Sequence, residues 1–100
     1  MFRHIVLLTL HPTAGDEVRD EIVTRLRGLP ARIPELVRYE VGTDLGLGEG
    51  NATIAVVADF ADRAGWETYR DHPDHVAVIQ TSILPNLASR TAAQMELPDR

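Results

Sequence analysis

The first ten residues are almost continuously apolar, with Phe2, Ile5, Val6, Leu7, Leu8 and Leu10 ahead of His11-Pro12. The run is rich in β-formers and too short before that proline for a stable helix, so it predicts a strand over Phe2–Leu10. From Asp16 the pattern changes. Val18, Ile22, Leu26 and Leu29 recur at spacings of four, four and three, with Glu17, Arg19, Asp20, Glu21, Thr24 and Arg25 between them. Such spacing lays one apolar stripe along a helix. The helix is expected to start at a capping box over Thr13-Ala-Gly-Asp16 and to stop at Gly28-Leu29-Pro30. Acidic residues in its first turn and arginines in its last suit the helix dipole.

Val37 to Thr43 alternates, with Val37, Tyr39 and Val41 on one face and Arg38 and Glu40 on the other, as a half-buried strand does. Four glycines between positions 42 and 50 follow, and then a third strand over Thr53–Phe60. Asp62 is placed to N-cap a helix reaching Asp71. Pro73 interrupts that helix and suits the first turn of a new one, whose apolar face continues through Val76, Ile79 and Ile83 to Pro85. The alanines, Thr91 and Met95 allow a last strand over Arg90–Leu97. The order strand, helix, strand, strand, helix, strand predicts an α+β domain of ferredoxin-like βαββαβ type, an antiparallel sheet with helices on one face.

Two strands fit that picture imperfectly. Ile5-Val6-Leu7-Leu8 and Ile54-Ala55-Val56-Val57-Ala58 are apolar on both faces, whereas an antiparallel sheet wet on one side should alternate. The helices suffice for one face only. A second copy of the chain laying its sheet against the first would cover the other, so a homodimer is expected.

Length sharpens this. One hundred residues make a single domain over 1–100, and a chain this short buries only roughly 60–70% of its unfolded surface. There is no cysteine, which removes disulfides, thiol catalysis and thiolate metal sites. The apolar runs fall far short of the roughly 20 residues of a membrane-spanning helix. The stretch after Arg3 lacks the length and cleavage site of a signal peptide, so neither membrane nor export is expected and the location is read as cytoplasmic. The net charge is −5, and the basic residues, all arginine, are dispersed, so nucleic acid is not an expected partner.

The candidate chemistry gathers between Tyr69 and Val78. His75 is a side chain that both takes and gives a proton near neutral pH, and the Tyr69 phenol can donate a hydrogen bond to a developing enolate. Together they suit proton abstraction next to a carbonyl. The plainer reading packs Tyr69 beside Trp66 and ties His75 to a helix end. His72, just before Pro73, is expected to hold the bend through a free carbonyl, or to contact a ligand. His72 and His75 form an H-x-x-H pair with Asp71 and Asp74 nearby, but no third strong ligand is evident, so no metal is expected. His4 shares a strand face with Phe2, Val6 and Leu8, as a satisfied core group or a pocket-lining contact. His11 is expected to be exposed. The Gly46–Asn51 segment is read as a hairpin loop, because a strand follows it where an anion-binding loop needs a helix N-terminus.

Three stretches resemble the stress-responsive dimeric A/B barrel family: Arg3-His4-Ile5-Val6-Leu7-Leu8, Val41-Gly42, and Tyr69-Arg-Asp-His72-Pro73-Asp-His75-Val76-Ala77-Val78. The likeness runs through nearly the whole chain in order and spacing. It implies a ferredoxin-like fold whose two sheets join into a dimeric α/β barrel. Most members have no assigned reaction, whereas one plant branch cyclises linear polyketides by an aldol step in a pocket between sheet and helices. There the positions matching Tyr69 and His75 are catalytic, and the histidine matching His4 lies near the pocket. That branch carries a further histidine on the third strand, where this chain has Ile54 or an apolar neighbour. Three expectations follow: a binder of small apolar or aromatic carbonyl compounds with His4 and His72 as ligand contacts, a cyclase-like enzyme using His75 and Tyr69, or a structural protein without a pocket. A related barrel family oxidises haem or quinols, but nothing here singles out a haem ligand, so no cofactor is expected.

Overall fold

The strand read at the N-terminus is β1, Phe2–Leu10, and its residues divide by parity in a computed structural model that describes residues 1–98. The last two positions of the domain expected over 1–100 lie outside the described residues. His4, Val6, Leu8 and Leu10 are buried on one face, while Leu7 on the other is 41% exposed. β2, Arg38–Thr43, and β3, Ile54–Phe60, pair antiparallel, and β3 pairs antiparallel with β1 from Phe2↔Phe60 to Leu8↔Ile54. β4, Leu87–Glu96, closes the other side of β1, giving the sheet order β2-β3-β1-β4. This is the ferredoxin-like α+β arrangement expected.

The helices cover one face. α1, Asp16–Arg27, buries Ile22, Val23 and Leu26. α2, Arg63–Asp71, starts where Asp62 accepts the Gly65 N–H at 3.0 Å, the cap that the sequence suggests. α3, Pro73–Val78, runs on through a π-helical turn, Ile79–Ile83, into a short 3-10 turn, Leu84–Asn86. Arg25 donates to the Thr81 and Ser82 hydroxyls and so ties that π-helical turn to α1. The core between the layers includes Ile22, Leu26, Ile33, Ile54 and Phe60, each 2% exposed or less. Full burial of one such side chain stabilises by roughly 1.5–3 kcal/mol.

Three details depart from the sequence reading. No capping box forms at Thr13, because the helix begins at Asp16 itself with Gly15 as its cap and no side-chain bond there. Thr13 therefore lies ahead of the cap position, Asp16 opens the first turn with its carboxylate accepting from Arg19, and the reciprocal bonds of a box are not made. Val37 precedes β2 and is 58% exposed, not buried with Tyr39 and Val41 as the alternation predicts. β4 begins at Leu87, earlier than Arg90, since backbone pairing with β1 carries it back past a bulge between Thr9 and Leu10.

The second face of the sheet carries Ile5 and Leu7 of β1, Ala55 and Val57 of β3, and Thr91, Ala93 and Met95 of β4. Among the described residues no helix lies over it. Leu7 and Met95 are 41% and 47% exposed, and every β4 residue from Ala88 to Glu96 is exposed. Towards one end of this face Arg3 grips Asp59 through two bonds of 2.7 and 2.8 Å, and the guanidinium holds that carboxyl below the usual carboxylate range. Among the described residues no helix is long and apolar enough to cross a membrane.

Candidate functional site

Alternation along β1 sends His4, Val6 and Leu8 toward the helices, and the π-helical turn hangs Ile79 and Ile83 above them. Between these walls lies a cavity of about 90 Å³. A π-helical turn adds a residue to the helical circuit, and such turns recur at functional sites. Here it carries the aliphatic roof. Val56 of β3 completes the floor, and Tyr69, His75 and Arg90 supply polar groups at the edge.

His75 enters from the first turn after Pro73. Its ring stacks on that of Tyr69, with centroids 4.0 Å apart and planes inclined by 28°. Its Nδ1 lies 3.1 Å from the Arg70 carbonyl oxygen. A carbonyl can only accept, so the Nδ1 proton is fixed there and the Nε2 lone pair is left free. Among the described residues no buried side-chain nitrogen or oxygen lacks a partner, so an unpaired Nε2 must reach open space. Burial pushes the His75 pKa down, and the bonds from backbone carbonyls only partly oppose that. The ring is therefore a neutral acceptor at pH 7.

Tyr69 is buried, and its hydroxyl sits 3.0 Å from that of Tyr39 on β2. Burial raises the pKa of both phenols, which keeps them protonated. With Tyr39 donating, the Tyr69 proton is available to the cavity that its side chain borders. His4 is held by Gln94 of β4, whose amide nitrogen lies 2.8 Å from Nδ1. That bond places the His4 proton on Nε2. Burial, reinforced by the charges of Arg90 and His75, lowers the His4 pKa to about 4, so this ring orients and donates without acting as a base.

The sequence candidates thus separate. His4, Tyr69 and His75 line one cavity, whereas His72 is not among its lining residues. The His72 ring accepts the Asp74 N–H at 3.1 Å and caps α3, a structural role met through a backbone N–H rather than the carbonyl expected. His72 and His75 both use Nδ1 on the backbone, and no group of three or more metal-ligating side chains gathers among the described residues. Ile54 is buried, and Val56 gives the cavity an aliphatic wall on the strand where the cyclase branch has a histidine. Tyr39, Gln94 and Arg90 escaped the sequence reading. Gln94 and Arg90 carry no signal in the sequence: they face the helices because Gln94 pairs with His4 and Arg90 with Leu8, a register that only the fold supplies.

Comparison with known proteins agrees with this architecture. A dimeric ferredoxin-like protein of unknown function from Thermobifida fusca is 45% identical, with a TM-score of 0.88 over 96% of this chain and 90% of that one. A dimeric protein of unknown function with a ferredoxin-like fold from Bacteroides fragilis is 28% identical, with a TM-score of 0.86 over 96% and 95%. A hydroxynitrile lyase from Passiflora edulis is 19% identical with a TM-score of 0.84 over 99% and 94%, a likeness of fold alone. No curated protein matches the chain. The model of the stress responsive A/B barrel domain matches residues 2–97, and the chain belongs to that family.

Proposed function

We propose that this A/B barrel protein is a homodimer whose protomers each bind a compact apolar or aromatic carbonyl compound between sheet and helices. The observation that carries the reading is the stacked Tyr69–His75 pair at 4.0 Å on the edge of an otherwise aliphatic cavity shared with His4. In such a site the Tyr69 hydroxyl donates to the carbonyl oxygen, and the His75 Nε2 faces a proton on the adjoining carbon. The low polarity of the walls strengthens both interactions.

The same geometry supports an enzymatic reading, in which His75 removes that proton and Tyr69 stabilises the enolate, the opening step of an aldol-type cyclisation. Size limits the substrate. At about 90 Å³ the cavity is smaller than the roughly 150 Å³ of a dry cavity that holds benzene, so it takes a short chain or only part of a small ring, with the rest of the ligand at the mouth. A long poly-β-keto chain would have to lie mostly outside.

Acetophenone tests both readings. Titration should shift the ring resonances of His4 and His75, and Tyr69→Phe should weaken binding about fivefold, the worth of one ordinary hydrogen bond. Isopropenylbenzene, which lacks the carbonyl, should be indifferent to that substitution. In deuterium oxide the enzymatic reading expects exchange of the acetophenone methyl protons that disappears in His75→Phe. Saturating acetophenone without any shift at either histidine would remove the binding reading, and exchange unchanged in His75→Phe would remove the enzymatic one.

The dimer follows from the uncovered sheet face. Ile5, Leu7, Val57 and Met95 form an apolar surface that one protomer does not hide, and a self-complementary partner can cover it. The T. fusca and B. fragilis proteins are described as dimeric, which supports the same assembly here.

A further inference from the structure

We infer that the natural ligand of the cavity carries a carboxylate, held at the mouth by Arg90. This rests on the binding reading above and names the class of compound that the site selects. Arginines elsewhere in the described chain are already engaged. Arg3, Arg19, Arg38, Arg63 and Arg70 each meet a carboxylate, and Arg32 lies beside Asp74. Arg25 donates to Thr81 and Ser82, and Arg27 to the Val41 carbonyl. Among the described residues Arg90 alone of the arginines has no such partner.

Its position adds to this. Cross-strand pairing with Leu8 turns Arg90 to the helix side of β4, where it borders the cavity with His4, Tyr69 and His75. No aspartate or glutamate borders that cavity among the described residues, although the chain carries fifteen acidic residues and a net charge of −5. An acidic protein has thus left one guanidinium unpaired beside an apolar hole. Its charge is felt there, since it disfavours protonation of both His4 and His75. A guanidinium presents a rigid fork of donors that matches a carboxylate through two bonds. The ligand class is therefore a small carbonyl compound that also bears one carboxylate, aromatic or short-chain, with its apolar end inward and its charge at the rim.

Benzoate and benzamide separate this idea from its premise, because they share size and shape and differ in charge. Calorimetric titration should show benzoate binding about tenfold more tightly than benzamide, as one charge-assisted pair at a half-wet mouth allows. Arg90→Gln should weaken benzoate about tenfold relative to benzamide and so remove that preference, while Arg90→Lys should retain part of it. Arg90 is exposed on an edge strand, so these variants should keep the native circular dichroism spectrum. Equal affinities for the two probes in the native protein would overturn the carboxylate proposal and leave the cavity reading standing. A preference for benzoate that survives Arg90→Gln would equally overturn it. Failure of both probes to bind, or to shift His4 and His75, would remove the cavity reading and this proposal with it.

Discussion

Leu7→Arg is expected to yield a folded protomer of half the native mass. Leu7 stands on the uncovered face of β1 and is 41% exposed within one protomer, so the substitution removes little of the core. Against a second sheet the outcome differs. A stable protein interface hides roughly 1,200–2,000 Å², and a guanidinium forced into its apolar centre without a counter-ion costs several kcal/mol. Two-fold symmetry introduces that cost twice. The dimer dissociation constant should rise on the order of a hundredfold or more, and light scattering at micromolar concentration should report monomer. Thr24→Arg, on the solvent side of α1, is the control and should remain dimeric. Native mass retained by Leu7→Arg would show that the partner covers some other surface.

The second large effect concerns pH. The His4 pKa lies at about 4 in the folded protein against 6.5 for a free histidine, with burial as the main cause. In the interval between these values the unfolded chain holds the proton and the folded chain does not. Stability is therefore full above pH 6.5, falls as pH drops through the interval, and stops falling from this source near pH 4. The loss amounts to about 3 kcal/mol, because every tenfold change in proton affinity between the two states is worth about 1.4 kcal/mol. His75 contributes in the same sense, since its pKa is also lowered. The Asp59 carboxylate, held below its usual range by Arg3, adds a loss as pH falls into the carboxylate range. Urea unfolding at pH 7 and pH 5 isolates the histidine part. His4→Gln should flatten much of the slope between those two values, and an unchanged slope would show that His4 is not the group responsible.

Much of the fold was legible because strand parity and helical spacing report burial directly. The apolar doubling at Ile5–Leu8 and Ile54–Ala58 correctly signalled a sheet face that helices would not reach. Asp62 was readable as a cap since the side chain and its target lie three residues apart. The start of β4 was not readable. After the half-buried Leu87, Ala88 to Arg90 are small or polar and exposed on an edge strand, which leaves no periodicity to follow. The π-helical turn was equally silent, because the Val76, Ile79 and Ile83 spacing suits an ordinary helix as well.

At the candidate site, residue chemistry and a family resemblance singled out Tyr69, His75 and His4, which the fold brings to one cavity. Their second partners were not singled out. The Tyr39–Tyr69 contact joins β2 to α2, and the Gln94–His4 bond joins β4 to β1 across ninety positions of sequence. Such bonds exist only once the register is set. At His72 the structural role expected beside Pro73 is present with a different partner, since the ring accepts the Asp74 N–H at the start of α3 and not a free carbonyl.

The site chemistry depends above all on which His75 nitrogen carries the proton. A long-range proton–nitrogen correlation spectrum of the histidine rings at pH 7 reads this directly. The expected result is a neutral ring protonated at Nδ1, bonded to the Arg70 carbonyl, with a bare Nε2 that shifts when acetophenone is added. A proton found on Nε2 would leave the cavity without a base, and the proposed chemistry at this site would be contradicted.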